Sequence, residues 1–373
     1  MPQTKKSLFD HFYIVPDPRV DRTKCHRLTD IIIIAICAIL CGADNWSDIE
    51  AFGESRLEWF QTFLDLPNGI PSHDTFGRVF ALIDPIIFER CFQDWVNTMR
   101  IFLRKKVVAI DGKTVRRSHD KKHDLGPLHL VSAFAAENGL TIGERAVDTK
   151  SNELKAIPKL LETLHIAGCI VTIDAGGCYH DATQKIIEKQ ADYVIAVKKN
   201  QPTLFQDIKT VFSSLTEPLT NYASTEERSH GRFERRECFV ISAPETLAQL
   251  RTKSDWRELS CIVKITSART VQGKTTSDHR YYISSVSDPK ADDILRAARD
   301  HWKIENSLHW VLDIVFREDE SRIRAGHAQE NFALMRKISL NLLKQDTSIK
   351  ASIRGKRKLA GWDKPYFLKV LGI

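Results

Sequence analysis

The chain has 373 residues, 42% hydrophobic and 28% charged, with 55 Lys and Arg against 48 Asp and Glu, a net charge of +7 and a pI near 8.9. These totals suit a soluble globular protein of two or three domains, and the positive balance permits nucleic acid as a partner without requiring it. The eight cysteines include no Cys-x-x-Cys pair, which fits a reducing cytosol.

Residues 1–103 read as a helical N-terminal domain and a candidate DNA-binding one. The longest apolar run, Ile31–Cys41, has eleven residues. A spanning helix needs about 20, and the run begins too late, too close behind Asp30, for a signal peptide. It predicts a buried helix and a cytoplasmic protein with no membrane partner. Cys37 and Cys41 are helix-spaced within it and read as buried thiols rather than a zinc site. In NWSDIEAFGESRLEWFQTFL, Ile49, Phe52, Trp59, Phe60 and Phe63 recur at roughly helical spacing. After the turn LPNGIP, Ser72 caps a helix carrying Phe76, Val79, Phe80 and Ile83, and Asp84-Pro85 opens another. Two helices about a short turn form either a helix-turn-helix or a packing pair.

At Val107 the period changes. VVAID predicts a short strand ending in an acid, Asp111, followed by a basic loop. LHLVSAFAAENGLTIGERAVD predicts two strands joined at Asn138-Gly139. NELKAIPKLLETLHIAG predicts a helix ending near Gly168 despite Pro158, and CIVTID a second strand ending in an acid, Asp174. A helix around DATQKIIEKQ and the strand DYVIAV follow. Three antiparallel strands and then two parallel ones interleaved with helices is the order of a ribonuclease-H-like sheet. The fold class expected is therefore α/β, a mixed five-stranded sheet with flanking helices. Residues 104–206 form the first part of the core, 207–290 a β-rich insertion, 291–345 a long helix completing the core, and 346–373 a basic C-terminal tail.

Asp111 and Asp174 each end an apolar strand. Two carboxylates about 4 Å apart repel by roughly 4 kcal/mol at an effective dielectric near 20, so such a pair needs a cation or a shared proton. Oxygen ligands suit Mg²⁺ or Mn²⁺. At about 100° per residue, Ile294, Ala298, Trp302, His309, Leu312 and Phe316 form one helical stripe with Glu305 at its centre. An acid there is costly unless paired with Arg or His or bound to metal. Basic residues surround these acids in sequence: Lys113, Arg116, Arg117, Lys121 and Lys122 after Asp111; Lys198 and Lys199 after the last core strand; His230, Arg232, Arg235 and Arg236 in the insertion; seven Lys and Arg in the tail. Each run is a solvated face or part of a phosphate track.

VVAIDGKTVRRS, SNELKAIPKLLETL, IVTIDAGGCYHDAT, ADYVIAVKKNQP, HGRFERRE and RDHWKIENSLHWVLDIVFREDESRIR resemble, in order, the motifs of the H-repeat-associated insertion-sequence transposases of the DDE superfamily. GIPSHDTFGRVFALIDP resembles that family's N-terminal associated region. The resemblance implies a ribonuclease-H-like catalytic domain with the triad Asp111, Asp174 and Glu305, at intervals of 63 and 131 residues. It implies two Mg²⁺ or Mn²⁺ ions on these acids and double-stranded DNA, element ends and target, as partner, with a homodimer assembled on DNA. The chemistry implied is cutting at the element end and transfer of the 3′-OH to target DNA. A ribonuclease-H-like nuclease without strand transfer and a degenerate DNA-binding protein are the alternatives. The DNA-contacting set expected is Lys113, Arg116, Arg117, Lys198, Lys199, His230, Arg232, His301 and His309. The chain departs from the family pattern at Gly177, Tyr179 and Lys199, and Ala298, His301 and Leu312 stand at the superfamily's Tyr, Arg and Lys positions.

Overall fold

A computed structural model describes residues 8–99, 106–119, 126–147, 153–215, 219–229 and 231–372. Helices α1 (Leu8–Phe12), α2 (Leu28–Cys41), α3 (Trp46–Ser55), α4 (Leu57–Phe60), α5 (His73–Leu82) and α6 (Pro85–Thr98) precede β1 (Val107–Thr114), β2 (His129–Ala135) and β3 (Leu140–Val147). Then come α7 (Glu153–Thr163), β4 (Ile170–Ile173), α8 (His180–Glu188), β5 (Asp192–Val197) and α9 (Pro202–Ser214). β6 (Tyr222–Ser229), β7 (Arg232–Ile241), α10 (Pro244–Leu247), β8 (Cys261–Val271) and β9 (Lys274–Ser284) follow. The chain closes with α11 (Ala291–Ile304), α12 (Trp310–Val315), α13 (Ala328–Gln345), α14 (Ile353–Trp362) and α15 (Lys364–Leu371).

The Ile-rich run behaves as its composition requires. Residues Ile31 to Leu40 of α2 are at most 2% exposed, and α2 packs against α13, α14 and α3. Among the described residues no single helix is long and apolar enough to cross a membrane. Ser72 and Asp84 cap α5 and α6 as expected, accepting the backbone N–H groups of Thr75 and Ile86. Of the expected helix pair, α6 buries Phe88, Glu89, Cys91, Phe92, Gln93, Trp95 and Val96 against α1, β3 and α13 and leaves Ile86, Arg90, Asp94 and Asn97 exposed on its other face. The helices of residues 8–99 and the sheet share one continuous apolar core.

The sheet has nine strands in the order β3-β2-β1-β4-β5-β9-β8-β7-β6. β1 runs antiparallel to β2 and parallel to β4, and β4 runs parallel to β5. This corrects the five-stranded expectation. Val194–Val197 of β5 pair with Tyr281–Ser284 of β9, so residues 222–284 widen the sheet instead of forming a separate insertion. An apolar strand such as β5 needs a ladder on both edges once it is covered. The polar, largely exposed β6 carried no apolar alternation and was not expected.

β1 also differs from expectation. It continues through Asp111, which pairs with Ser132, as far as Thr114, so Asp-Gly is not a turn. A Cβ at Gly112 would lie 2.1 Å from Glu153 Oε1 and 2.8 Å from His129 Nε2, and only glycine admits that approach. Helix α7 ends at Thr163, short of Gly168, while Gly139 takes φ +69° as a strand-joining Asn-Gly turn demands. The expected single long helix is broken. Glu305–His309 form a π-helical turn between α11 and α12, with Trp310 N–H bonded to Glu305 O.

Several basic residues assigned to phosphate are structural. Lys113 is 11% exposed at its side chain and is held by Asp313 and, at 2.6 Å, by Glu318. Its expected DNA-contacting role is therefore corrected. Glu318 is fully buried and also faces Lys337, 3.8 Å away, which in turn pairs with Glu144. In the C-terminal segment, Arg357 Nε and Nη2 donate to Ile39 O and Ala43 O at the end of α2, and Lys356 Nζ donates to Leu343 O at the end of α13. Both are buried helix caps, and the tail is two packed helices.

Burial works against ionisation of Glu318, but Lys113, Lys337 and Arg336 outweigh it and hold its carboxyl at about 2. Glu318→Gln leaves two lysines underpaired inside the protein and should cost about 3–5 kcal/mol at pH 7. A folded value below the ordinary 4.5 makes this contribution complete above pH 4.5 and lost as the pH falls through about 2. Urea unfolding of parent and variant should therefore converge in acid, and equal stabilities at pH 7 would refute the network.

Candidate active site

The parallel register of β1 and β4 pairs Ile110 with Ile173. Asp111 and Asp174 are the next residue on each chain, so the two acids leave adjacent strands at the same level. Asp174 ends β4 and caps the short 3₁₀ turn Ala175–Gly177, its Oδ1 accepting Gly177 N–H at 3.2 Å. Two residues of the KKNQP motif steady this loop. Asn200 Nδ2 donates to Ala175 O at 2.6 Å, and Gln201 Nε2 donates to Cys178 O at 2.9 Å.

Asp111, Asp174 and Glu305 line one open cleft of about 610 Å³, together with Lys198, Lys199, His301, Trp302 and Arg280. The stripe reading of Glu305 needs correction. Ile294, Ala298, His309, Leu312 and Phe316 are buried, but Trp302 is 48% exposed and the Glu305 side chain 55% exposed. The stripe carries Ala298, Trp302 and Glu305 to the cleft rather than into the core, and the π turn that starts at Glu305 offsets the residues after it. Such turns recur at functional sites. Lys344 Nζ donates to Ser307 O within the turn at 2.7 Å and lies over the Phe134 ring; burial pushes this lysine down to about 8.

His309 sits beneath the acids. Its Nδ1 is 3.1 Å from Glu305 Oε2 and 3.6 Å from Asp111 Oδ2, and the ring is 3% exposed. This residue, expected to contact DNA, is buried against the two carboxylates. Burial, opposed by His309 and reinforced by Asp174, pushes the Asp111 carboxyl up to about 6. The His309 hydrogen bond holds Glu305 below its usual range against a smaller opposing effect of burial. His301 lines the cleft, its Nδ1 3.0 Å from Thr172 Oγ1, and burial lowers its pKa.

The acids divide into two groups. Asp313, Glu318 and Asp319 are neutralised by Lys113, with Arg116 also on Asp319. Among the described residues no Lys or Arg forms an ion pair with Asp111, Asp174 or Glu305. Ligand atoms of Asp111, Glu305 and His309 all lie within 4.8 Å of one another. Unpaired, convergent oxygens with a raised Asp111 pKa fit a hard divalent cation.

Lys198 and Lys199 are exposed at the cleft rim. Arg116 and Arg117 are exposed on the loop after β1 and do not line the cleft. Arg232 pairs with Glu234 beside a separate pocket, and His230 lies outside the described residues, as do Lys121 and Lys122. Arg280 was missed. Its guanidinium lies 5.0 Å from the Trp302 ring centroid, and only the pairing of β9 with β5 brings it to the cleft, which no local pattern in HRYYISSV announces.

Comparison with known proteins accords with this geometry. A family model described as "DDE_Tnp_1-associated" matches residues 9–96, and one described as "Transposase DDE domain" matches residues 103–342. The chain is 40% identical over 372 residues to the "H repeat-associated putative transposase YhhI" of Escherichia coli K12, covering 98% of each. It is 40% identical over 373 residues to the "Putative transposase YncI" of E. coli O157:H7, covering 98% of this chain and 94% of that one. A solved piggyBac transposase synaptic complex with hairpin DNA aligns with 97% of this chain and 75% of that one, at TM-score 0.46 and 9% identity. With more than half its length inside the catalytic-domain model and near-complete relatives at this identity, the chain belongs to the DDE transposase family, among its H-repeat-associated members.

Proposed function

We propose that this protein is a metal-dependent DNA transposase that cuts at the ends of its element and joins the resulting 3′-OH to target DNA. The observation that carries the reading is the convergence on one cleft of three acids that, among the described residues, have no Lys or Arg partner, two of them adjacent through the β1–β4 register. The order β3-β2-β1-β4-β5 within the wider sheet supports a ribonuclease-H-like core. Asp111, Asp174 and Glu305 would hold two Mg²⁺ or Mn²⁺ ions, which supply Lewis acidity at the phosphodiester when bound. Lys198, Lys199 and Arg280 at the cleft offer positive charge to the backbone on either side of the scissile phosphate. The exposed Trp302 ring beside them presents a surface on which a base can stack. Two copies, each bringing one element end, would join both ends to a target.

Asp111→Asn should abolish Mg²⁺-dependent cleavage of an element-end duplex while leaving the circular dichroism spectrum unchanged; full cleavage would remove Asp111 from the chemistry. Strand-transfer products from the parent distinguish a transposase from a nuclease, which cuts without joining. In chelator-treated protein the same substitution should raise stability at pH 8 by up to about 3 kcal/mol. An Asp111 carboxyl near 6, above the ordinary 3.8, favours the protonated form in the fold. Its ionisation cost therefore grows as the pH rises from 3.8 through 6 and vanishes below 3.8.

DNA affinity should fall steeply with salt, since each neutralised phosphate releases counterion. Lys198→Ala with Lys199→Ala should reduce the slope of log K against log salt by roughly two without lowering the melting temperature. Lys113→Ala should do the reverse, lowering stability through Glu318 with little change in slope.

A further inference from the structure

We propose that His309 is a positioning residue that holds Glu305 toward Asp111 through Nδ1–H and does not itself ligate metal. This rests on the metal reading above. Glu305 is half exposed, and its side chain makes no other hydrogen bond among the described residues than the one with His309. Without the imidazole, a long acid on a cleft wall has several open rotamers, most of them pointing away from Asp111.

The tautomer follows from the partners. Ionised carboxylates only accept, and Nδ1 faces two of them, at 3.1 and 3.6 Å. The proton therefore belongs on Nδ1. His309 Nε2 is buried without a hydrogen-bond partner among the described residues. A bare acceptor there is tolerable, whereas an N–H donor with nothing to meet is the rarer and costlier state. Metal ligation through Nδ1 would force the proton onto Nε2, into that unpartnered position. Ligating imidazoles ordinarily donate their second N–H to a carboxylate, carbonyl or water, and Nε2 has no such acceptor. Supporting a ligating carboxylate by a hydrogen bond from behind has no such cost.

The π turn makes the arrangement available. It places Glu305 and His309 at its two ends, with the acid open to the cleft and the imidazole packed beneath. Trp310 N–H bonds to the carbonyl of Glu305 itself, and Lys344 occupies Ser307 O. The backbone carrying Glu305 is thereby held, and His309 fixes the remaining side-chain freedom.

The test is Mn²⁺ binding to the full-length protein, followed by electron paramagnetic resonance of the free ion, with pulsed measurement of nitrogen coupling to the bound ion. The parent should bind Mn²⁺, lose binding in Asp111→Asn, and show no coupling to an imidazole nitrogen. His309→Leu should weaken binding by about 10–100-fold. His309→Asn, whose side-chain amide places a donor where Nδ1–H stood, should recover most of that loss. A nitrogen coupling that persists in His301→Leu and disappears in folded His309→Leu would make His309 a ligand and overturn the proposal. Unchanged Mn²⁺ affinity in a folded His309→Leu would overturn it while leaving the metal reading intact. Absence of any Asp111-dependent Mn²⁺ binding in the parent would overturn the metal reading and this inference together.

Discussion

Two carboxylates stand at the same level of neighbouring parallel strands, and among the described residues no Lys or Arg pairs with either. That repulsion is the constraint around which the cleft is arranged. At an effective dielectric near 20, two such charges about 4 Å apart cost roughly 4 kcal/mol. A loop would relax and separate them. β1 cannot, because it is hydrogen-bonded to β2 on one side and to β4 on the other. Asp174 is fixed besides by its own capping bond and by Asn200 and Gln201 holding the loop that follows. Burial first, then Asp174, against His309, pushes the Asp111 carboxyl up to about 6. A divalent cation beside it would favour the charged form and offset both.

The protein could have neutralised the pair, since a lysine stands two residues away. Lys113 lies on the same strand face as Asp111 by the alternation of β1, yet its ammonium is engaged with Asp313 and Glu318. Those two acids, with Lys337 and Glu144, form a network that joins β1, β3, α12, α13 and the segment after α12. Lys113 is therefore not available to Asp111, and among the described residues the cleft acids meet His309 rather than a Lys or Arg. The same allocation explains why a count of basic residues overstates the charge available to DNA. Lys356 and Arg357 satisfy helix-end carbonyls, and Arg232, Arg235 and Arg236 meet Glu234 and Glu237 along β7 and Glu226 and Glu227 across to β6.

Much of the arrangement was legible in the sequence, for identifiable reasons. The apolar runs of β1, β4 and β5 are bounded by acids, lysines and turn residues, and the Asn-Gly turn between β2 and β3 is a local signal. Both aspartates, Glu305 and the rim lysines could therefore be assigned to one site. What failed was everything decided by distant partners. Lys113, His309 and the tail lysines and arginines look like solvent-facing charges until the opposing acid or carbonyl is placed. The apolar stripe pointed to Glu305 as a buried acid, whereas Trp302 and Glu305 face an open cleft. Nothing in the periodicity of β9 marks β5 as its neighbour.

That last pairing completes the cleft. β5 carries Lys198 and Lys199 just beyond its end, and β9 brings Arg280 alongside α11. Basic side chains thus stand beside the acids, with Trp302 and Glu305 following one another on α11 and the turn after it. A third acid as deeply buried as Asp111 would add its own desolvation cost to the repulsion already stored on β1 and β4. Glu305 avoids this by standing half in solvent. An exposed acid, however, is held only by what it contacts, and among the described residues its hydrogen-bond partner is one buried imidazole. Low cost for the empty site and fixed geometry for the occupied one are opposing demands, and the Glu305–His309 turn is where the fold meets both.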